Sequence, residues 1–187
     1  MTLNHNSGAA PNNNVQTAAI AEVEGKQFVS FALGDQEYVL DIMFVREIKA
    51  WTGTTRLPNS PDHMRGVINL RGAIVPVIDL KMRFGSGATE TTTASVIIIV
   101  ATENTLIGLL VDGVSDIITV AKNEIAAIPD VENDNREAYF SGLITVDGNL
   151  LPILALDSLL KQENMVKSML HSEYSMPVQS AAAELRT

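Results

Sequence analysis

The sequence predicts an all-β fold with minor helix: two tandem, five-stranded β-barrels that pack on a shared core, followed by a C-terminal helix. An internal repeat covers most of the chain, and each copy holds about five short apolar segments at the spacing of small barrels. Neither copy has room for the crossover helices that a parallel sheet requires. After residue 156 the apolar residues change to helical spacing.

The repeat is clearest in two segments that each predict a hairpin. GVINLRGAIVPVIDL (66–80) aligns with GLITVDGNLLPILAL (142–156) at an offset of 76, and both glycines and the proline agree. Upstream, VREI (45–48) matches VSDI (114–117) at an offset of 69. Self-similarity of this kind predicts two copies of one structural unit.

The first copy contains two predicted hairpins. Residues 28–40 carry apolar side chains on both sides of a Gly-Asp turn, and the second hairpin turns at Arg71-Gly72. Pro76 has no N–H to donate, so its strand is predicted at an edge or a bulge. Between the hairpins, residues 60–66 show the cap, proline and stop glycine of a one-turn helix.

Composition divides the chain into segments. The first residues are polar and rich in Asn and Ala, and a Gly/Thr-rich stretch at 85–94 is typical of a linker between the copies. The predicted parts are a disordered tail (1–25), a first barrel (about 26–85), a second barrel (about 93–156), the start of a C-terminal helix (157–165) and a helix end with a mobile tail (166–187).

Composition and charge limit the classes of function. The chain has no cysteine, which excludes disulfides and thiolate metal sites, and a net charge of −9 argues against nucleic-acid binding. Residues 46–83 carry seven Lys/Arg against three acids, about +4, which leaves about −13 elsewhere. This asymmetry marks either a surface for an acidic partner or a solvated face without a role.

Membrane insertion and secretion are not indicated. The first 25 residues lack a basic start followed by an apolar segment. The longest apolar run, at 94–101, is far shorter than the roughly 20 residues that span a bilayer. The sequence therefore predicts a soluble intracellular protein.

Signals for metal or cofactor chemistry are weak. The three histidines have no partner at metal-ligand spacing, and the alternating acids at 130–134 lack the glycine and final glutamate of a calcium loop. No nucleophile elbow, P-loop or dinucleotide motif occurs. We therefore predict no cofactor and no metal.

Two other functions stay open at this point. A nucleic-acid-binding barrel would need stacking aromatic residues, which form only 5% of the chain. An enzyme could pair carboxylates that end strands as acid and base, although such residues are more often caps and turn residues. The carboxylates in question are Asp41, Asp79, Asp112 and Asp157.

Three segments resemble one known family. FALGDQEYVLDIMFVREI, GVINLRGAIVPVIDL and GLLVDGVSDII, in this order and spacing, are similar to the bacterial chemotaxis coupling protein family CheW. The resemblance covers about residues 26–160, and its NLRG-x-[IV]-x-P-[IV]-[IV]-D-L string also occurs in the regulatory domain of the CheA kinase. A kinase fragment would carry further domains upstream, so the polar tail favours a stand-alone adaptor. The resemblance implies a CheW-like domain at 26–165 built from two SH3-like barrels.

The resemblance also implies a function. Family members are adaptors without catalysis that connect the cytoplasmic hairpin tip of methyl-accepting chemoreceptors to the regulatory domain of the CheA histidine kinase. We therefore expect a cytoplasmic protein that is recruited to chemoreceptor arrays at the membrane. An adaptor of a chemotaxis-like pathway with another output is the alternative within this class.

Site residues follow from the resemblance position by position. It implies a receptor-binding groove made by Val45, Glu47, Gly66, Asn69, Arg71 and Ile74. It places at a kinase or other partner surface, or equally in the core, Val96, Val114 and Ile117. It also brings Glu47 and Arg71 within ion-pair reach, whereas the second copy has Asp116 and Asp147 at these places. Two barrels with the same plan and different charges are expected to bind different partners.

Overall fold

A computed structural model describes residues 25–102, 105–128 and 139–161. The N-terminal tail predicted at 1–25, apart from Gly25, the acidic run at 130–134 and the C-terminal segment from 162 lie outside these residues. The strands are β1 (Gly25–Leu33), β2 (Gln36–Asp41), β3 (Val45–Ala50), β4 (Met64–Leu70), β5 (Ala73–Asp79), β6 (Val96–Thr102), β7 (Thr105–Val111), β8 (Gly113–Ala121), β9 (Phe140–Val146) and β10 (Asn149–Leu154). The helices are α1 (Leu80–Arg83), α2 (156–161) and two 3-10 turns, Ile42–Phe44 and Lys122–Glu124.

The ten strands form two five-stranded sheets. We call the sheet with strand order β3-β6-β7-β5-β4 barrel I, and the sheet with order β8-β1-β2-β10-β9 barrel II. One bridge beyond the edge strands closes each sheet on itself: Thr55 pairs with Val67 in barrel I, and Ala126 pairs with Leu143 in barrel II. The prediction of two five-stranded barrels is therefore confirmed.

The predicted boundaries of the barrels, about 26–85 and 93–156, are wrong. The hairpin β1–β2 of the first copy lies in barrel II between β8 and β10, and the hairpin β6–β7 of the second copy lies in barrel I between β3 and β5. Each inserted hairpin pairs antiparallel on one side and parallel on the other, as β10 with β2 and β5 with β7 show. The two copies thus exchange their first hairpins.

The connections at which the chain passes between the barrels are short. Only the 3-10 turn Ile42–Phe44 separates β2 from β3, and only Asp112 separates β7 from β8. The second connection contains Asp112-Gly113, a dipeptide typical of hairpin turns, yet β8 pairs with β1 of barrel II and does not return to β7. The chain therefore continues from one barrel directly into the other.

Three clusters of buried side chains hold the fold together. One fills barrel I, one fills barrel II, and the largest lies between them and draws residues from both, among them Phe31, Leu40, Ile78 and Leu109. Strand β6 shows how one strand serves two clusters, because Ile97 and Ile99 face the interior of barrel I while Ile98 and Val100 face the shared core. The shared core is therefore confirmed.

Two local predictions differ from the structure. The strand with Pro76, β5, lies between β7 and β4 rather than at an edge, but its pairing with β7 starts only at Val77. The one-turn helix predicted at 60–66 is wrong: a single turn bond from Met64 N–H to the Pro61 carbonyl, 2.9 Å long, leads directly into β4. The pairing of β4 with β5 outweighs the local helix signal.

The C-terminal helix begins close to where the sequence predicts. Residues 156–161 are helical, and Leu156, Leu159 and Leu160 are buried in the shared core. The rest of the predicted helix lies outside the described residues. Among the described residues no helix is long and apolar enough to cross a membrane.

Candidate partner-binding site

The tip of the β4–β5 hairpin in barrel I presents an arginine on a left-handed backbone. Arg71 and Gly72 have φ values of 52° and 94°, as the two central residues of a tight hairpin turn of type I′ require. The Asn69 side-chain oxygen accepts the Gly72 N–H at 2.7 Å and fixes this turn. Asn69 itself is exposed, so two of the predicted receptor residues sit together at the tip.

The ion pair implied by the resemblance is present. Arg71 Nη2 lies 2.8 Å from Glu47 Oε2 on β3, with the arginine side chain 83% exposed and the glutamate 21% exposed. An exposed pair of this kind contributes only about 0–1 kcal/mol to stability. Its more important consequence is that it holds two opposite charges in a fixed place at the surface.

Two exposed apolar side chains lie on the strands next to this pair in the chain. Ile74, one of the predicted residues, follows the turn and is 66% exposed. Ile48, which the resemblance did not single out, is 43% exposed on β3. Val45 is half-buried against the shared core and offers only part of its surface. We call Ile48, Ile74 and the Glu47–Arg71 pair the barrel I patch.

Gly66 has a structural requirement of its own. It is buried with φ of 130°, and a Cβ there would collide with the Thr55 carbonyl at the bridge that closes barrel I. Its counterpart Gly142 faces the Ala126 carbonyl at the bridge of barrel II, where a Cβ would lie 3.0 Å away. Barrel closure therefore accounts for this glycine, and contact with a partner stays a prediction.

The predicted positions of the second copy divide into two kinds. Val96 and Val114 are half-buried and pack against the shared core. Ile117 is 55% exposed on β8, and Leu150, which the sequence reasoning missed, is 54% exposed on β10. We call Ile117, Leu150 and the nearby exposed acids Asp116 and Asp147 the barrel II patch.

A signal for the missed residues was present in the sequence. Ile48 and Ile117 occupy matching places of the repeat at the offset of 69, and Ile74 and Leu150 match at the offset of 76. An apolar residue at both copies of a position usually indicates core. In this protein all four side chains are exposed, two on each barrel.

Three strand-end carboxylates have structural partners. Asp41 accepts the Met43 N–H at 2.9 Å and pairs with Lys26, Asp79 accepts from Met82 and Thr89, and Asp112 accepts the Gly34 N–H. Asp157 is exposed in α2. These contacts are those of caps and turn residues rather than of an acid–base pair. In the part of the chain that the structure describes, no group of three His, Asp or Glu could hold a metal ion.

Comparisons with known proteins agree with this architecture. The family model of the CheW-like domain matches residues 27–164. Chemotaxis protein CheW of Rhizobium meliloti (strain 1021) is 40% identical over 139 residues, which cover 74% of this chain and 90% of that protein. Chemotaxis protein CheW of Bacillus subtilis (strain 168) is 32% identical over 145 residues, or 77% of this chain and 93% of that protein.

A solved structure is similar as well. The crystal structure of the scaffolding protein TtCheW from Thermoanaerobacter tengcongensis matches with a TM-score of 0.66 and 38% identity over 71% of this chain and 85% of that chain. The two-barrel fold and these matches define a class of chemotaxis scaffolding proteins. Within this class the chain belongs to the CheW family, as its sequence motifs indicate.

Proposed function

We propose that this protein is a non-catalytic adaptor that couples the cytoplasmic tips of chemoreceptors to the CheA histidine kinase. The observation that supports this most directly is the barrel I patch, where an exposed ion pair and the exposed Ile74 occupy positions that the family resemblance assigns to receptor binding, and Ile48 adds a second exposed isoleucine. In this proposal the adaptor is cytoplasmic and joins receptor arrays through its partners.

The patch suits one side of an amphipathic helical hairpin. Ile48 and Ile74 offer apolar contact area, and a helix that buries its apolar face there gains the free energy of hydrophobic burial. Arg71 and Glu47 lie on the same hairpin and the same strand as these isoleucines and can pair with charges at the rim of the partner helix. Rim charges of this kind set orientation and association rate more than affinity.

The barrel II patch is the proposed contact for the kinase. Its isoleucine and leucine match those of barrel I, but its charges are two acids, so a partner that fits one patch does not fit the other equally well. The kinase regulatory domain, whose family string matches this chain, is the proposed occupant. An adaptor needs two such distinct surfaces to join two partners.

Titration with a purified receptor-tip hairpin tests the receptor contact. Arg71→Asp is the sharpest variant, because Asp147 shows that aspartate fits the same turn with φ of 50°. We expect binding to weaken about tenfold or more, equivalent to roughly 1.4 kcal/mol, while Arg56→Asp, which reverses the charge of another exposed arginine, changes affinity less than about threefold.

The titration is calorimetric, and circular dichroism shows whether each variant is folded. Wild-type protein that binds neither the receptor tip nor the kinase regulatory domain would refute the adaptor function. Equal losses in Arg71→Asp and Arg56→Asp would refute the site. The pathway output is a separate question, and the identity of the receptor that the protein captures answers it.

A further inference from the structure

Another arginine near the same hairpin points into barrel I instead of outward. The Nε of Arg65 lies 3.8 Å from Asp79 Oδ2, and its Nη2 donates to the Thr89 carbonyl at 3.1 Å. Its guanidinium carbon lies 5.9 Å from the ring centre of Trp51. The arginine side chain is 20% exposed and that of Asp79 is fully buried. We call Arg65, Asp79 and Thr89 the buried cluster.

Both oxygens of the Asp79 carboxylate accept hydrogen bonds. Asp79 accepts the N–H of Thr89 at 2.9 Å, its hydroxyl at 2.8 Å and the N–H of Met82 at 3.1 Å. Thr89 belongs to the stretch that composition marks as a linker, yet it is 2% exposed. A buried charge keeps its place only with partners of this kind, so the cluster fastens the linker to barrel I.

Arg65 connects the cluster to the seam of barrel I, where the segment that follows β3 meets β4. Trp51 directly follows β3, and its N–H donates to the Ser95 carbonyl at 2.9 Å, while Arg65 opens β4. Strand β3 carries Glu47, and β4 leads into the turn with Arg71. Arg65, on the β4 side of this seam, thus contacts the residue that follows β3 as well as the carboxylate that ends β5. Besides it, the Thr55–Val67 bridge and a bond from the Thr54 hydroxyl to the Arg65 carbonyl hold this seam.

The repeat shows that the barrel fold does not require the cluster. Arg65 matches Ser141 and Asp79 matches Ala155 at the offset of 76, so barrel II lacks both charges. Barrel II also lacks an opposite-charge pair at its hairpin tip, where Asp147 replaces the arginine. The buried pair and the surface pair therefore occur together in one barrel and are absent together from the other.

We propose that the buried cluster is a positioning device for the receptor site. Through the Arg65–Trp51 contact it holds the end of β3 beside β4, so that Glu47 and Arg71 present one fixed arrangement of charges to the partner, and Arg65 is its central positioning residue. This role rests on the proposed receptor-binding function. A preformed site loses less conformational freedom on binding, so a contact inside barrel I strengthens binding of a partner at its surface.

The test gives barrel I the residues of barrel II. The double variant Arg65→Ser/Asp79→Ala removes both charges, so no unpaired buried charge remains. We expect it to bind the receptor-tip hairpin about tenfold more weakly and the kinase regulatory domain as wild type does. The emission of Trp51, the single tryptophan, is expected to shift to the red as its ring loses the guanidinium and gains water.

Three further variants complete the design. Arg65→Lys keeps the ion pair with Asp79 and is expected to restore most of the receptor affinity. Arg56→Ser removes an exposed arginine by the same chemical change and is expected to alter neither partner binding nor the Trp51 emission. Thr89→Val removes one hydroxyl bond at nearly equal volume, so it serves if the double variant does not fold, with an expected two- to threefold loss, on the order of a single modest hydrogen bond.

The outcomes separate this proposal from the proposed function. Receptor binding at wild-type strength in a folded double variant, beside a clear loss in Arg71→Asp, overturns the positioning role and leaves the adaptor function standing. Equal losses toward receptor and kinase domain also overturn it, because a positioning role acts on one patch. Absence of binding by wild-type protein overturns the adaptor function itself.

Discussion

Barrels I and II are built on the same plan and differ in their charges. Their hairpin tips have nearly the same backbone, with φ of 52° and 94° at Arg71-Gly72 and of 50° and 82° at Asp147-Gly148. Exposed apolar residues stand at matching places on both. Yet barrel I carries a Glu–Arg pair at its surface and an Arg–Asp pair inside, and the residues at the matching positions of barrel II cannot form either pair.

In the proposed function, this difference in charge determines which partner each barrel binds. The turns, the glycines at the closing bridges and the apolar clusters are common to both barrels, so they make the scaffold. Charged residues in that scaffold can change without changing the fold, because exposed charges contribute little to stability. They change what the exposed isoleucines and leucine can dock against, since like charges at a rim exclude a partner.

The closing glycines are expected to give the largest effect. Gly66→Ala should destabilise the protein by about 3 kcal/mol or more, because its φ is positive and its Cβ would collide with the Thr55 carbonyl. Gly142→Ala should cost only about 1 kcal/mol, since a Cβ 3.0 Å from the Ala126 carbonyl needs a small shift. Urea unfolding of both variants measures the difference, and equal midpoints would show that the two seams are equivalent.

Exchange of apolar for polar side chains in the two patches should give the second-largest effect, a loss of partner binding. Ile48→Ser/Ile74→Ser is expected to weaken receptor-tip binding about tenfold or more, and Ile117→Ser/Leu150→Ser to weaken binding of the kinase regulatory domain similarly, since each pair loses buried apolar area. Each variant should leave the other partner unaffected. Parallel titrations with both partners check this, and a loss toward the same partner in both variants would contradict the division of roles.

The smallest effect is expected for stability at the hairpin tips. Asparagine tolerates the left-handed backbone, so Arg71→Asn should lower the free energy of unfolding by at most about 0.5 kcal/mol through loss of the exposed ion pair. Asp147→Asn should change it by less than that. Thermal unfolding compares the two, and a loss above about 2 kcal/mol in Arg71→Asn would mean that the surface pair supports the fold.

Much of the local structure was predictable from the sequence. The Arg71-Gly72 and Asp147-Gly148 turns, the apolar strands and the start of α2 follow from turn chemistry and hydrophobic spacing. The family motifs predicted the Glu47–Arg71 contact. The one-turn helix at 60–66 failed because its cap and proline also suit a single turn, and strand pairing decided between them.

The site was predictable only in part. Arg65 and Arg71 lie six positions apart in the apolar segment 65–80, whose one acidic residue is Asp79, and nothing local tells which of the two side chains is buried. The fold gives the two arginines different partners: Arg65 pairs with the buried Asp79, and Arg71 pairs with Glu47 at the surface. Whether Ile48 is exposed likewise depends on which elements cover β3. The alternation of side chains along a strand does not specify this covering.

By itself, the sequence determined the units of this protein: ten strands in two copies, the turns between them and the family to which they belong. Only the tertiary structure decided that the copies exchange their first hairpins, so that each barrel needs both halves of the chain. The physical reason is that strands such as β6 are apolar on both faces, and such a continuous apolar run specifies that a strand is buried without specifying which strands are its neighbours.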